Sequence, residues 1–321
     1  MTYGRGTSLL PDFAIRRPHV SGRSCGQPSA ALPAIVLVLL LLAAGSSQGM
    51  PTVAPAAGQP PGSGWHPASF KVGATSPVLA STRMANGSTA YVAWIDRTRT
   101  RLALYPGTDE PVAASPRGLG DVPQGQRWRL LATFNGGFKS ASNAGGFLVN
   151  GRASEPLKRG LGTLVEYRDG SLAILNWQGR TNPHLLVLAR QNLPPLVWAG
   201  RANPTVSNFR LWGLTYGGGQ AVWRTAIGLT SRGDLVYAAA NAQTPASLAT
   251  LMVKLGAIRA IELDINPQVP TFIGYARRGG RAPTAFVPNP MQSTDRYLTP
   301  DRRDFFAVYT RAGGGPSVPF R

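Results

Sequence analysis

Short apolar segments joined in pairs by tight polar turns constrain the fold of this chain more than any other feature of its sequence. An Asp-Gly or Asn-Gly pair suits a hairpin turn with positive φ, and alternating or β-branched segments on either side are typical of strands. With 38 Gly and 28 Pro among 321 residues, strands and turns are favoured over long helices. The predicted hairpins are Tyr91–Asp96 with Arg101–Tyr105, Thr163–Leu175 around Asp169-Gly170, Thr225–Ala240 around Gly233, and a turn at Asn150-Gly151.

One helix is predicted, and a strand follows it directly. Thr244 can cap this helix, Pro245 fits its first position and Gly256 can end it. The apolar residues between them recur at i, i+3, i+4 and i+7, which predicts a face directed at the core: Leu248, Leu251, Met252 and Leu255. The segment "AIELDI" then reads as a short strand. We therefore expect a strand-rich, mixed α/β domain with mixed sheets, hairpins and few helices.

The N-terminus has the pattern of an export signal. Residues 31–44 read "ALPAIVLVLLLLAA", basic residues precede them, and small residues follow. This predicts a cleaved signal peptide or an uncleaved anchor within residues 1–49, with the apolar segment as the point of any membrane association. The product would be secreted or anchored to the outer face of the cytoplasmic membrane. A Pro/Gly/Ala-rich linker is expected at 50–64, the folded domain at 65–312 and a tail at 313–321.

Charge, cysteine and histidine narrow the class of protein. The net charge of +19 reflects either an Arg-rich base composition or attraction to anionic partners. No Arg-rich run contains interleaved aromatic residues, so a nucleic-acid partner is not expected. The only Cys, Cys25, lies in the predicted leader. His66 and His184 are far from any Ser, Cys or His of suitable spacing, so neither a His-based triad nor a metal site is predicted.

Two carboxylates near the end of the "AIELDI" strand are the first candidates for chemistry. Glu262 and Asp264 are separated by one residue, which on a strand places both side chains on the same face, roughly 7 Å apart at Cα. A carboxylate buried in a sheet must be paired or functional. The pair therefore indicates either salt bridges to nearby Arg residues or an acid/base or substrate-binding pair at the end of the strand.

Two further segments are candidates for binding an anion. The sequence "NGGF", Asn135–Phe138, follows an apolar strand, and its glycines allow either a plain turn or a concavity of backbone N–H groups that binds an anion. Arg224 leads the strand "RTAIG". Its guanidinium can bind a phosphate or carboxylate through two parallel hydrogen bonds. Alternatively, Arg224 is one of the many Arg residues on the surface.

The order of these motifs is similar to that of the phosphodiester glycosidase domain family. "NGGF", a Gly-Gly-hydrophobic-x-Asn-Gly segment, "RTAIG" and the capped helix before "LGAIRAIELD" carry the resemblance, over roughly residues 78–310. The resemblance implies a divergent bacterial branch, because "LDINPQ" stands where the family has "LDGGGS". Pro267 lacks an N–H, and Asn266 can serve as a side-chain donor in its place. The positions that match the family are Asn135, Gly136, Gly137, Phe138, Arg224, Thr225, Gly228 and Asp264.

The resemblance implies an exported hydrolase that cleaves a sugar–phosphate diester in an extracellular glycan, without a cofactor and with a divalent metal not ruled out. Asp264, Arg224 and Asn135 would be catalytic, with Asp264 as base, nucleophile or stabiliser of the oxocarbenium charge. Substrate would also contact Gly136, Gly137, Phe138, Thr225, Asn266 and Glu262. Two alternatives stay open: a non-catalytic protein that binds cell-wall or exopolysaccharide glycans, and a glycoside hydrolase that uses Glu262 and Asp264 together.

Overall fold

The computed structural model describes residue 60, residues 63–213 and residues 218–311. The predicted leader at 1–49, most of the linker and the predicted tail at 313–321 lie outside the described residues. None of the helices within the described ranges has both the length and the hydropathy needed to cross a membrane. The described residues all fall within a single structural unit, Met50–Arg321.

Strands form most of the regular structure. In chain order they are β1 (His66–Pro67), β2 (Val78–Ala85), β3 (Ser88–Ile95), β4 (Thr100–Tyr105), β5 (Leu130–Asn135), β6 (Phe147–Val149), β7 (Arg152–Glu155), β8 (Gly162–Tyr167), β9 (Leu172–Asn176), β10 (Leu186–Gln191), β11 (Val197–Trp198), β12 (Arg201–Ala202), β13 (Val222–Thr230), β14 (Leu235–Gln243), β15 (Ala257–Glu262), β16 (Phe272–Arg277), β17 (Arg281–Ala285) and β18 (Phe305–Thr310). The α-helix of the described part is α1 (Pro245–Lys254). Short 3₁₀ turns occupy Gln124–Arg129, Ser140–Ser142, Pro183–Leu185, Pro204–Ser207 and Phe209–Trp212.

The strands form three sheets. The first has the order β1-β2-β3-β14-β13-β15-β11-β12, the second β7-β6-β10-β8-β9, and the third β17-β16-β5-β18-β4. All pairings between these strands are antiparallel. The strand-rich fold with hairpins and few helices is therefore confirmed.

Three of the four predicted hairpins are confirmed. β8 pairs with β9 across Asp169-Gly170, β13 pairs with β14 across Gly233, and β6 pairs with β7 across Asn150-Gly151. Asn150 and Gly151 have φ values of 52° and 79°, as a type I′ turn requires. Gly170 and Gly233 also have positive φ, 83° and 86°, so each of the three turns has a glycine where most other residues would be strained.

The hairpin predicted for Tyr91–Asp96 with Arg101–Tyr105 is wrong. β3 lies in the first sheet between β2 and β14, whereas β4 pairs with β18 in the third sheet. Both edges of β3 are already occupied, so β4 has no edge of β3 to join. The chain turns between the sheets at Asp96, whose carboxylate accepts hydrogen bonds from the backbone N–H and hydroxyl of Thr98.

The predicted helix is confirmed together with its cap. Thr244 Oγ1 accepts a hydrogen bond from Ser247 N, and Ser247 Oγ accepts one from Thr244 N, which completes a capping box. Gly256 follows the helix with a φ of 87°. The four predicted core residues of this segment are all buried.

The first sheet separates two hydrophobic cores, and this separation decides which side chains reach the site. One face packs on α1, through residues such as Ala226 and Ala260. The other face contributes residues such as Ile227 and Ile261 to a central core that all three sheets share. Because side chains alternate along a strand, consecutive residues of β13 and β15 belong to opposite cores.

Candidate functional site

Asp264 lies two residues beyond the end of β15, in a loop that stays buried. Its side chain is 5% exposed. Arg303 Nη2 donates to Asp264 Oδ2 at 2.6 Å, and the backbone N–H of Asn266 donates to Oδ1 at 2.8 Å. Burial raises the pKa of the Asp264 carboxyl from its usual value, and the adjacent guanidinium of Arg303 opposes this rise. Both carboxylate oxygens are thus held in place.

A cavity of about 1130 Å³ opens in front of this loop. Asp264 is the one carboxylate among the described residues that line it, whereas three cationic side chains do so: Lys139, Arg210 and Arg303. Apolar and aromatic surface is contributed by Phe138 and Trp223. The cavity therefore combines a single buried carboxylate with a cationic lining and apolar, partly aromatic walls.

Glu262 does not share this cavity with Asp264. It is the last residue of β15, and its side chain points to the helix side of the first sheet, where Arg224 Nη1 donates to Oε1 at 2.5 Å. Glu262 is 0% exposed and Arg224 1% exposed. Burial raises the pKa of Glu262 to about 7, although the neighbouring Arg224 opposes the rise. The carboxylate pair required by a glycosidase using Glu262 with Asp264 is therefore not formed in an open cleft.

Arg224 is held entirely by internal acceptors. Besides Glu262, its guanidinium donates to the backbone carbonyls of Trp212 at 2.8 Å and Gln243 at 2.9 Å. It lines neither this cavity nor the smaller one that adjoins it. Arg224 has a bonding pattern typical of a structural ion pair, and the expected fork onto a substrate phosphate is not available in this conformation.

The "NGGF" loop follows β5, and its amides are also used internally. The N–H of Gly136 donates to the Asp304 carbonyl at 3.0 Å, that of Gly137 to Asp304 Oδ2 at 3.4 Å, and that of Phe138 to Asn192 Oδ1 at 3.0 Å. An anion-binding concavity of these three N–H groups is therefore not formed. The glycines instead permit close packing, since a Cβ on Gly136 would lie 2.0 Å from Asp304 Oδ2.

Asn135 and Asp264 are connected through one threonine. Asn135 Nδ2 donates to Thr225 Oγ1 at 3.0 Å, and Thr225 Oγ1 donates to the Asp264 carbonyl at 2.8 Å. The hydroxyl of Tyr237 donates to Asn135 Oδ1 at 2.9 Å. Asn135 is 0% exposed and does not line the cavity. Its position is that of a buried residue that supports the Asp264 loop, and of the other predicted contacts Phe138 and Asn266 line the cavity.

Two charged residues of the site were missed by the sequence reasoning. Arg303 pairs with Asp264, and Asp304 accepts from Arg190 Nε at 2.8 Å in a second buried ion pair. Both precede β18, whose Phe305 is paired with Asn135 of β5. The sequence signal was present: a charged "DRRD" run directly before the apolar strand "FFAVYT". It reads as a solvated turn until the pairing with β5 is known.

A second, smaller cavity of about 440 Å³ adjoins the first. Both cavities are lined by the same four residues, which we call the junction: Lys139, Asn266, Gln268 and Arg303. Among the described residues, no group of three or more His, Cys, Asp or Glu side chains is arranged to hold a metal ion.

Comparison with protein-family models gives no match, and comparison with curated proteins gives none either. Among solved structures, the catalytic domain of zebrafish N-acetylglucosamine-1-phosphodiester alpha-N-acetylglucosaminidase is similar with 16% identity and a TM-score of 0.46, over 76% of this chain and 87% of that one. A hypothetical protein from Synechocystis has 13% identity and a TM-score of 0.44, over 74% of this chain and 63% of that one. The resemblance is one of fold, so the chemistry rests on the site itself.

Proposed function

We propose that this chain is an exported hydrolase that cleaves the bond between a sugar anomeric carbon and a phosphodiester in an extracellular glycan, with Asp264 as the reacting carboxylate. One observation carries the proposal: Asp264 is a buried, ion-paired carboxylate at the wall of a large cavity whose other charged residues, in the described part of the chain, are all cationic. A cationic lining favours an anionic substrate. In this proposal Asp264 acts on the sugar end of that substrate.

A single carboxylate is sufficient for this reaction. Glycosidases that expel an alcohol use two carboxyl groups, one of which protonates the leaving oxygen. A phosphate monoester leaves as a stable anion and needs no such proton. In the proposed step, water adds to the anomeric carbon. The bond between that carbon and the bridging oxygen of the phosphodiester breaks, and its electron pair leaves with the phosphate monoester.

In this mechanism Asp264 accepts the proton that the attacking water loses. Burial raises its pKa, which strengthens the carboxylate as a base. The bonds from Arg303 Nη2 and Asn266 N hold the carboxylate in one orientation, so little reorganisation is needed when the water reacts. Asn135 and Thr225 support the loop from behind.

The test is release of reducing sugar from a synthetic sugar-1-phosphodiester. We expect Asp264→Asn to lower the rate by at least about 100-fold, the usual scale for loss of a general base. Asp295→Asn is the matched control, because Asp295 is exposed and lines neither cavity. Circular dichroism must show that both variants are folded. Equal rates for wild type and Asp264→Asn, or no turnover by either on a panel of diesters, would refute this role.

A second function is favoured by the same bonding pattern. Both Asp264 oxygens already accept hydrogen bonds, and Pro267 lies in the loop where the family has glycine. These features fit a non-catalytic protein that binds anionic cell-wall or exopolysaccharide glycans. Retention of such a glycan in a pull-down, with no turnover of any diester, would support this second function over hydrolysis.

A further inference from the structure

The junction between the two cavities has cationic and amide side chains and no carboxylate. Lys139 is exposed and follows the "NGGF" loop, and its ammonium forms no hydrogen bond or ion pair with the described residues. Asn266 and Gln268 lie in the loop after Asp264, and neither side-chain amide N–H₂ donates to a described residue. Uncommitted donors are therefore concentrated where the cavities meet.

Arg303 adds a second cation with unused donors. Its Nη2 donates to the Gly137 carbonyl at 2.8 Å and to Asp264 Oδ2 at 2.6 Å. Its Nε is buried and has no partner among the described residues. A buried donor without an acceptor is costly, and such a cost is tolerated where a ligand supplies the acceptor. The side chain of Arg303 is 10% exposed, and the residue lines both cavities.

The acidic residues of the smaller cavity do not compete for these cations. Asp109 pairs with Arg302 at 2.6 Å, and Asp301 pairs with Arg296 at 2.7 Å. Glu110 accepts from the backbone N–H of Ser140 at 2.9 Å and from its hydroxyl. Within the described ranges, Lys139 has no acidic partner and Arg303 has only Asp264, so the junction keeps a net positive charge.

We propose that the junction binds the phosphate of a phosphodiester, and that the substrate straddles it with one substituent in each cavity. Lys139 and Arg303 would hold the anionic oxygens, as a point charge and a planar fork respectively, with Asn266 and Gln268 as neutral donors. The group on the side of the large cavity faces Asp264, and the other group occupies the smaller cavity. The choice of a diester rests on the proposed function, whereas the binding of phosphate does not.

Binding of one substituent in each cavity restricts the substrate more than the hydrolytic step alone does. A phosphate monoester would fill the junction and one cavity only. A diester whose second substituent is polar matches the smaller cavity, which is lined by Arg302, Gln292 and Asp301. The larger cavity has the aromatic surface of Trp223 and Phe138, which suits the face of a sugar ring. The expected substrate is therefore a glycosyl phosphodiester with a second polar group, such as a sugar or a polyol.

Calorimetric titration of the purified chain with inorganic phosphate, and then with a glycosyl phosphodiester, tests the site without requiring turnover. We expect Lys139→Gln to weaken binding of both ligands at least fivefold and Lys139→Arg to keep it within twofold. Lys254→Gln is the matched control, since it removes the same charge from an exposed residue that lines neither cavity. Arg303→Lys, which keeps the charge and loses the fork, should also weaken binding if it folds.

Each outcome supports or overturns a named part of the inference. If wild type binds neither ligand, or if Lys139→Gln binds phosphate as wild type does, the junction is not the site. Lys139-dependent phosphate binding without any turnover would keep the site and refute the proposed hydrolysis. Arg302→Gln should reduce only the extra affinity of the diester over phosphate, because Arg302 lines the smaller cavity alone. An equal loss for both ligands would overturn the straddling.

Discussion

Substitution of Gly136 by Ala distinguishes a packing role of the "NGGF" loop from a ligand-binding role. A Cβ at this position would lie 2.0 Å from Asp304 Oδ2, 2.5 Å from its Cγ and 2.6 Å from its carbonyl oxygen. Gly136 does not have a positive φ, so alanine can adopt its backbone conformation. The effect of the substitution therefore depends on the steric overlap of the added Cβ alone. Asp304 is 1% exposed and is held by Arg190 at 2.8 Å, so it cannot easily move away.

The magnitude follows from this geometry. Relief of the overlap requires a displacement of about 1 Å, which would lengthen the Arg190–Asp304 hydrogen bond beyond its useful range. Loss of a buried ion pair costs about 3–5 kcal/mol, and overpacking without such a loss costs about 1–3 kcal/mol. We expect Gly136→Ala to lower the free energy of unfolding by about 3 kcal/mol or more. For a domain of this size that corresponds to a fall in Tm of about 6–12 °C.

Thermal and urea unfolding followed by circular dichroism measure the effect. The matched control is Gly125→Ala, because a Cβ there would meet no atom within 4 Å and the φ is not positive. That variant should stay within about 0.5 kcal/mol of wild type. The packing interpretation is refuted if Gly136→Ala is as stable as Gly125→Ala, and a stable Gly136→Ala that has lost phosphate binding would restore the anion-binding interpretation of the loop.

Two further predictions concern the first sheet and its helix. The folded-state pKa of Glu262 is about 7, against an ordinary 4.5, so its contribution to stability is full below pH 4.5 and is lost as the pH rises to 7. Relative to Glu262→Gln, wild type should therefore lose stability between pH 5 and 8, by at most about 3 kcal/mol. A difference in free energy of unfolding that does not change with pH, or that grows in favour of wild type as the pH rises, contradicts this prediction. Thr244→Ala removes the helix cap and should lower the free energy of unfolding, measured in urea, by about 1 kcal/mol. The control Thr250→Ala, on the exposed face of the helix, should change it little. Equal effects of the two variants would exclude the capping role.

Local chemistry predicted the fold where a turn or a cap is encoded by a few adjacent residues. Asn150-Gly151 and Asp169-Gly170 specify their hairpins because the required backbone conformations are restricted to few residue types. Thr244 specifies the start of α1 for a similar reason. The connection after β3 has no residue pair that restricts the turn in this way. Two apolar strands with a short polar segment between them have the same sequence pattern whether they form a hairpin or belong to different sheets. Long-range pairing of β3 with β14 decided that case.

The site shows the same division. Asn135, Thr225 and Asp264, which the motifs singled out, lie near one another, and the hydrogen bonds among them connect β5, β13 and the loop after β15. Alternation along β13 predicts that Arg224 and Thr225 point to opposite faces of the sheet. The sequence does not tell which of these faces packs on α1, so the burial of Arg224 with Glu262 on the helix side was not predicted. The expected shared face of Glu262 and Asp264 was lost because β15 ends at Glu262.

The antiparallel register of β5 with β18 explains why the site depends on residues so far apart in the chain. Pairing of Asn135 with Phe305 places the end of one strand beside the start of the other. The loop that leaves β5 therefore meets Arg303 and Asp304 as they enter β18, and each of these contacts the loop, through the Gly137 carbonyl and the Gly136 N–H respectively. Because Arg303 also forms an ion pair with Asp264, the adjacent residues Arg303 and Asp304 connect the glycine loop to Asp264. A change in the register of β5 and β18 would displace Arg303 from the cavity wall and break its ion pair with Asp264. The proposed chemistry therefore depends on the pairing of these two strands.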